Sequence, residues 1–171
     1  MKAFCKTVLG FSAMLALSGA HAAPLLSADW AAKACASFNS NEILTKELAS
    51  GWIKNDGGRG YKVVQMYRTD CGVASRVEMR IIPKDGKAIC TYGGQVQATA
   101  LNDDMDYLMH AGTREWRDMG AGQYGPMRAM MGGALKFKGP MFEAMSVMGP
   151  FEQFLLLPGK VPGTDACPTS G

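Results

Sequence analysis

Apolar positions along this chain recur first at helical and then at strand spacing. Trp30, Ala34, Cys35 and Phe38 fall three or four residues apart, which predicts a helix from Ala28 with Ser27 or Asp29 as its cap. Asn39-Ser40-Asn41 interrupts it, and Ile43, Leu44 and Leu48 open a second short helix. The run Asn55-Asp56-Gly57-Gly58-Arg59-Gly60 reads as a turn; it lacks the spacing and the preceding strand of a phosphate loop. From Tyr61 the period changes to two. Tyr61, Val63, Gln65 and Tyr67 alternate with Lys62, Val64, Met66 and Arg68, predicting a strand covered on both faces, followed by a turn at residues 69–72. Val77, Met79 and Ile81 alternate with Arg76, Glu78 and Arg80 as a half-buried strand, and the loop 83–87 predicts a hairpin returning through residues 88–92. With Ile82 facing Ala88, Ile81 would pair with Ile89, and Arg80 with Cys90 on the other face.

Beyond Gly93-Gly94, residues 95–100 alternate again, with Val96, Ala98 and Ala100 as inward candidates. Asn102-Asp103 is read as the cap of a helix whose Met105, Leu108, Met109 and Trp116 form one stripe. Pro126 fits a first helical turn ahead of Met127, Met130, Met131 and Ala134. Residues 135–138 predict a short strand ended by Gly139. A further helix starts at Pro140, with Met141, Ala144, Met145 and Met148 on one face, and Phe151, Phe154 and Leu155 extend its apolar character.

Composition sharpens one feature of this pattern. Nine of the 13 methionines lie between Met105 and Met148. Methionine is flexible and polarizable, so such a wall suits a greasy ligand of variable shape, although methionine at helical spacing also fills ordinary cores. Pocket and soft core are both open readings of this spacing.

The N-terminus reads as a secretory signal. Lys2 and Lys6 precede the apolar stretch 8–17, and Ala20-His21-Ala22 fits a cleavage site, so removal of residues 1–22 and a periplasmic or secreted location are expected. The remaining 149 residues suit one domain, 23–158, followed by a Pro/Gly/Ser-containing tail, 159–171, expected to be flexible. Loss of Lys2 and Lys6 lowers the net charge from +3 to +1, and without a basic run nucleic acid is not an expected partner.

Four cysteines stay in the exported chain: Cys35, Cys71, Cys90 and Cys167. An even count in an exported protein predicts one or two disulfides, with three full pairings open. The expected hairpin register sets Cys71 and Cys90 at opposite ends, which argues against that pair; no C-x-x-C spacing supports zinc or redox work.

Other polar chemistry is sparse. His110 is the single histidine after residue 22, which excludes histidine metal clusters within one chain. Asp103, Asp104 and Asp106 form the one acidic cluster, without EF-hand spacing, and capping explains it. Catalysis would require these carboxylates to converge with His110 in a cleft. No cofactor, metal or catalytic residue is expected.

The order of elements is nevertheless familiar. A strand meander, then ATALNDDMDYLMHA, then GPMRAMMGGALKFKGPMFEAM resembles the sterol carrier protein type-2 domain family, in which a G-x-L-K-x-x-G strand sits between two helices; Gly133-Ala134-Leu135-Lys136-Phe137-Lys138-Gly139 matches that element. The resemblance covers roughly residues 61–148. It implies an α/β (α+β) domain with a five-stranded mixed, largely antiparallel sheet, helices packed on it, and a hydrophobic tunnel that holds lipids without altering them. Its implied partner is a lipid or other hydrophobic small molecule, a sterol-like, fatty-acyl or phospholipid ligand, with transient membrane contact. Mapped onto this chain, the implied lining is Met105, Met109, Met127, Met130, Met131, Leu135, Phe137, Met141, Met145 and Met148, with Phe151 and Phe154 at the mouth. The alternative is a periplasmic interaction or structural module of the same fold with a filled core.

Overall fold

The computed structural model describes residues 22–168; the expected signal as far as residue 21 and the last three residues of the tail lie outside the described part. Helix α1 (Ala28–Asn39) is capped by Ser27, whose side chain accepts from the Trp30 N–H, and it buries Trp30, Ala34, Cys35 and Phe38 as the spacing predicts. A π-helical turn (Ile43–Glu47) and a 3₁₀ turn (Trp52–Lys54) lead into strand β1 (Lys62–Arg68). Two short 3₁₀ turns separate it from β2 (Val77–Lys84), which pairs with β3 (Lys87–Gln95). Then follow β4 (Tyr107–Ala111), α2 (Thr113–Gly120), α3 (Pro126–Met131), β5 (Lys136–Lys138), α4 (Met141–Ser146), α5 (Met148–Leu155) and α6 (Leu157–Lys160).

The five strands form one sheet in the order β3-β2-β1-β4-β5. Only β1 and β4 run parallel; the other three pairings are antiparallel. Val64, Met66, Ile81, Tyr107 and Met109 are buried on the face that carries α1, α4 and α5. Residues 96–106 cross the opposite face, where the N–H groups of Gln97 and Ala98 donate to Glu78 and that of Val63 donates to Asp106. This explains why β1 is buried on both sides, with Gln65 and Glu78 inaccessible to solvent.

Three sequence expectations are corrected. The segment read as a helix from Asn102 is a strand over 107–111: Tyr107, Met109 and Ala111 point inward at period two, and β1 supplies its hydrogen-bonding edge. Over five residues the two periods share too many positions to be separated locally. The segment 95–100, read as a strand, leaves the sheet after Gln95 to cover its second face. The hairpin is one residue tighter than expected. Asp85 and Gly86 both have positive φ, as a two-residue type I′ turn requires, so Ile82 faces Ile89 and Ile81 faces Cys90.

That slip changes the face of β3 residues from Lys87 to Cys90, as far as the register shift opposite Arg80 and Ile81. Cys90 points towards α1 and bridges Cys35, while the helix approaches so closely that a Cβ on Gly93 would sit 2.1 Å from the Ala31 carbonyl oxygen. The second bridge joins Cys71 to Cys167, and Cys71 and Cys90 are indeed not paired. It pins the segment expected to be a loose tail. Through residue 168 that segment is held further by a bridge between Pro24 and Thr164 and by Arg68, whose buried guanidinium donates to the carbonyls of Asp165 (2.7 Å) and Ala166 (2.8 Å).

The acidic cluster disperses into structural roles. Asp106 accepts two hydrogen bonds from Arg59, at 2.7 and 3.0 Å, and others from the N–H groups of Val63 and Asn102. Burial pushes its pKa up, but these donors outweigh burial and hold the carboxyl below the usual aspartate value. The stabilisation is therefore complete above the unfolded aspartate pKa of about 3.9 and is lost as pH falls through the lower folded value. We expect Asp106→Asn to lower stability by about 3 kcal/mol at neutral pH. Urea denaturation at pH 7 and pH 3 checks this: the difference from wild type narrows at the lower pH.

Candidate functional site

An apolar cavity lies between the sheet and the C-terminal helices. Its floor is Val64, Ile81, Tyr107 and Met109 from three adjacent strands. Phe38 of α1, Leu48 and Trp52 close one side; Ala144, Val147, Pro150, Phe151 and Phe154 of the α4–α5 region form the roof. A row of aromatic rings backs this space, with centroids 5.7 Å apart for Trp52–Tyr107, 5.4 Å for Tyr107–Phe137 and 5.9 Å for Phe137–Phe151.

The cavity is small. Its volume is about 40 Å³, room for a few waters, whereas ligand pockets run to about 300–1,000 Å³. The side chains of the roof pack close to the strands and leave little open space above the floor. Widening the site therefore means moving the roof.

The methionine wall is divided, not continuous. Of the twelve expected lining residues, Met109, Phe151 and Phe154 reach the cavity. Leu135 is buried, and Met130, Phe137 and Met148 pack behind the core, partly buried. Met105 lies over the turn at Gly57. Met127, Met131, Met141 and Met145 face solvent, with Met131 81% exposed and the neighbouring Phe142 90% exposed. Helical spacing identifies a common face but not which side of the helix meets the core.

Sequence reasoning missed most of the lining because it concentrated on the methionine-rich half. Phe38, Leu48 and Trp52 come from the N-terminal third, and only the folded topology brings them to α4 and α5. Trp52 carried the one available signal, a large aromatic beside a glycine turn.

A polar group borders the roof. Lys62 extends from β1 on the cavity face, has no solvent exposure, and pairs with Glu143 of α4. Its ammonium also donates to the Trp52 carbonyl at 3.1 Å and sits over the Trp52 ring, 4.5 Å from the centroid. Tyr107 donates its hydroxyl proton to Glu143 at 2.7 Å, and Asn55 donates to the other carboxylate oxygen. Burial lowers the Lys62 pKa, with the Glu143 carboxylate opposing that fall; burial and Glu143 both raise that of the Tyr107 phenol. Removing one member of such a pair leaves a buried charge uncompensated.

Catalytic convergence is not observed. Asp103 pairs with Lys138 at 2.8 Å, Asp106 with Arg59, and His110 stacks on Tyr67 with centroids 4.5 Å apart. Burial, followed by Lys136 and Arg76, lowers the His110 pKa. Among the described residues, the one cluster with metal-ligand types is Asp70, Cys71 and Cys167, whose cysteines are joined in a disulfide. No described helix is long and apolar enough to cross a membrane.

Residues 73–152 match the model of the SCP-2 sterol transfer family. A crystal structure of sterol carrier protein 2 superposes with a TM-score of 0.54 and 20% identity, over 81% of this chain and 99% of that one. A solution structure of a conserved hypothetical protein from Thermus thermophilus, described as a possible sterol carrier protein, superposes with a TM-score of 0.52 and 21% identity, over 90% of this chain and 100% of that one. No curated protein matches the chain.

Proposed function

From a chain whose residues 73–152 match the SCP-2 sterol transfer family, we propose an exported, non-enzymatic carrier of a single lipid chain. The observation that carries this reading is the apolar cavity roofed by α4 and α5. Burial of a hydrocarbon chain there contributes about 25 cal/mol per Å² before ordering costs. The roof has the means to move: α4 is a six-residue helix bounded by Gly139-Pro140 and by a break at Val147.

Membrane contact fits the same movement. Met141, Phe142 and Met145 are exposed on α4, and Met127 and Met131 on α3. Exposed apolar side chains with Arg128 and Lys136 nearby in sequence suit transient insertion at a lipid surface. Export to the periplasm or medium agrees with the two disulfides, which persist in oxidising compartments.

Native mass spectrometry of protein purified without detergent tests the proposal. A one-to-one adduct that extracts as lipid is the expected result. Absence of an adduct, together with no uptake of added fluorescent fatty acid, overturns it. The second reading, an interaction module with a filled core, draws on the small closed volume; it predicts that second outcome.

A further inference from the structure

Three of the four groups in the polar cluster beside the cavity belong to the body of the domain, and one belongs to the roof. Lys62 and Tyr107 stand on strands, Asn55 follows the Trp52 turn, and only Glu143 comes from α4. The body's donors are held independently of Glu143. Asn55 also donates to the Asp104 carbonyl at 3.0 Å, Lys62 to the Trp52 carbonyl, and the Tyr107 hydroxyl accepts from the Trp52 indole at 2.9 Å, which directs its own proton towards the carboxylate. Were α4 to lift, these donors would stay converged on one point, with a buried ammonium lacking its counter-ion.

Resting on the carrier reading above, we propose that Lys62 is the head-group anchor of the site, where the carboxylate of a single-chain fatty acid replaces that of Glu143 against Lys62, Tyr107 and Asn55. The exchange trades one carboxylate for another, so the local charge is unchanged. No covalent step is involved. A neutral lipid opening the same roof leaves the ammonium uncompensated and is selected against.

The surface geometry provides the path. An open cleft of about 620 Å³ contains Asn55 and Glu143 and shares Trp52, Val147 and Pro150 with the cavity. Lys62 and Tyr107 do not line this cleft but bond to Glu143, which does, so a head group that displaces Glu143 would reach them from the cleft, its chain passing the shared wall into the apolar space. Glu143 is then both the latch of the closed state and the competitor of the ligand.

Binding of cis-parinaric acid and of its methyl ester, followed by fluorescence, tests the anchor. Wild type should bind the acid about tenfold more tightly than the ester, the effect of one charge-assisted contact set. Glu143→Gln keeps the shape of the latch but removes its charge. It should tighten acid and ester alike, by about tenfold, because both must release the latch, and keep the preference for the acid. Lys62→Met should abolish the difference between the two probes, with thermal melts run alongside to confirm folding. Wild type and Glu143→Gln decide the matter alone if Lys62→Met does not fold. Equal binding of acid and ester by wild type, or loss of the preference for the acid in Glu143→Gln, overturns the anchor while leaving the carrier intact. Failure of wild type to bind either probe overturns the carrier, and the anchor with it.

Discussion

Phe151→Ala is expected to destabilise the protein by about 3 kcal/mol, the low end for a buried phenylalanine, and to increase lipid uptake. The ring packs between Phe137 and the cavity and is 9% exposed. Because it already borders a void, its removal sacrifices fewer contacts than in a solid core. It also joins its own volume to the cavity. A carrier gains capacity from that space: binding of a fluorescent fatty acid tightens even as the urea midpoint falls. A filled-core module loses stability and gains nothing. Chemical denaturation and lipid titration on the same preparation separate the two.

The double change Cys71→Ser with Cys167→Ser is expected to cost about 4 kcal/mol. The bridge spans 96 residues, and closing a loop of that order removes up to about 4.7 kcal/mol of unfolded-chain entropy in the chain-entropy model. The folded state is affected too. Arg68 is 2% exposed and relies on the carbonyls of Asp165 and Ala166, while Arg117 holds Asp165 from the surface. Releasing residues 161–168 therefore deprives a buried guanidinium of two of its acceptors, leaving those of Thr113 and Asp70. Urea denaturation reads the stability loss, and amide hydrogen exchange should show protection disappearing first in that segment. Unchanged protection there would mean that the hydrogen bonds alone hold the tail.

These expectations separate what was legible in the chain from what was not. α1 announced itself because Trp30, Ala34, Cys35 and Phe38 repeat over three turns beside a serine cap. Likewise β1 and β2 showed a period of two over seven and eight residues. The five-stranded mixed sheet followed from the resemblance carried by Gly133–Gly139. By contrast, β4 was hidden because Met105, Leu108 and Met109 satisfy helical spacing, and only its parallel partner β1 distinguishes the alternatives. Cysteine pairing depended on a single-residue slip in the β2–β3 register, set by the positive φ at Asp85 and Gly86.

The site was legible only in outline. Methionine density pointed to side chains of which Met109 alone among the methionines reaches the cavity. Met131 and Met145 are exposed, whereas Ala144, read only as a neighbour on the methionine face, and Val147, unremarkable in sequence, face the cavity. The Lys62–Glu143 pair was invisible because a lysine on a strand and a glutamate on a short helix, 81 residues apart, carry no local mark of their contact.

Nuclear Overhauser contacts between oleate methylenes and the ¹³C-labelled methionine methyls test the account most directly. Met109 lies on the cavity floor, whereas Met131 is exposed on α3. Chain contacts to the Met109 methyl are expected, with chemical-shift changes in the Phe151 and Phe154 rings above it. Contacts confined to Met131 and the other exposed methyls, with Met109 unchanged at saturating oleate, would contradict it.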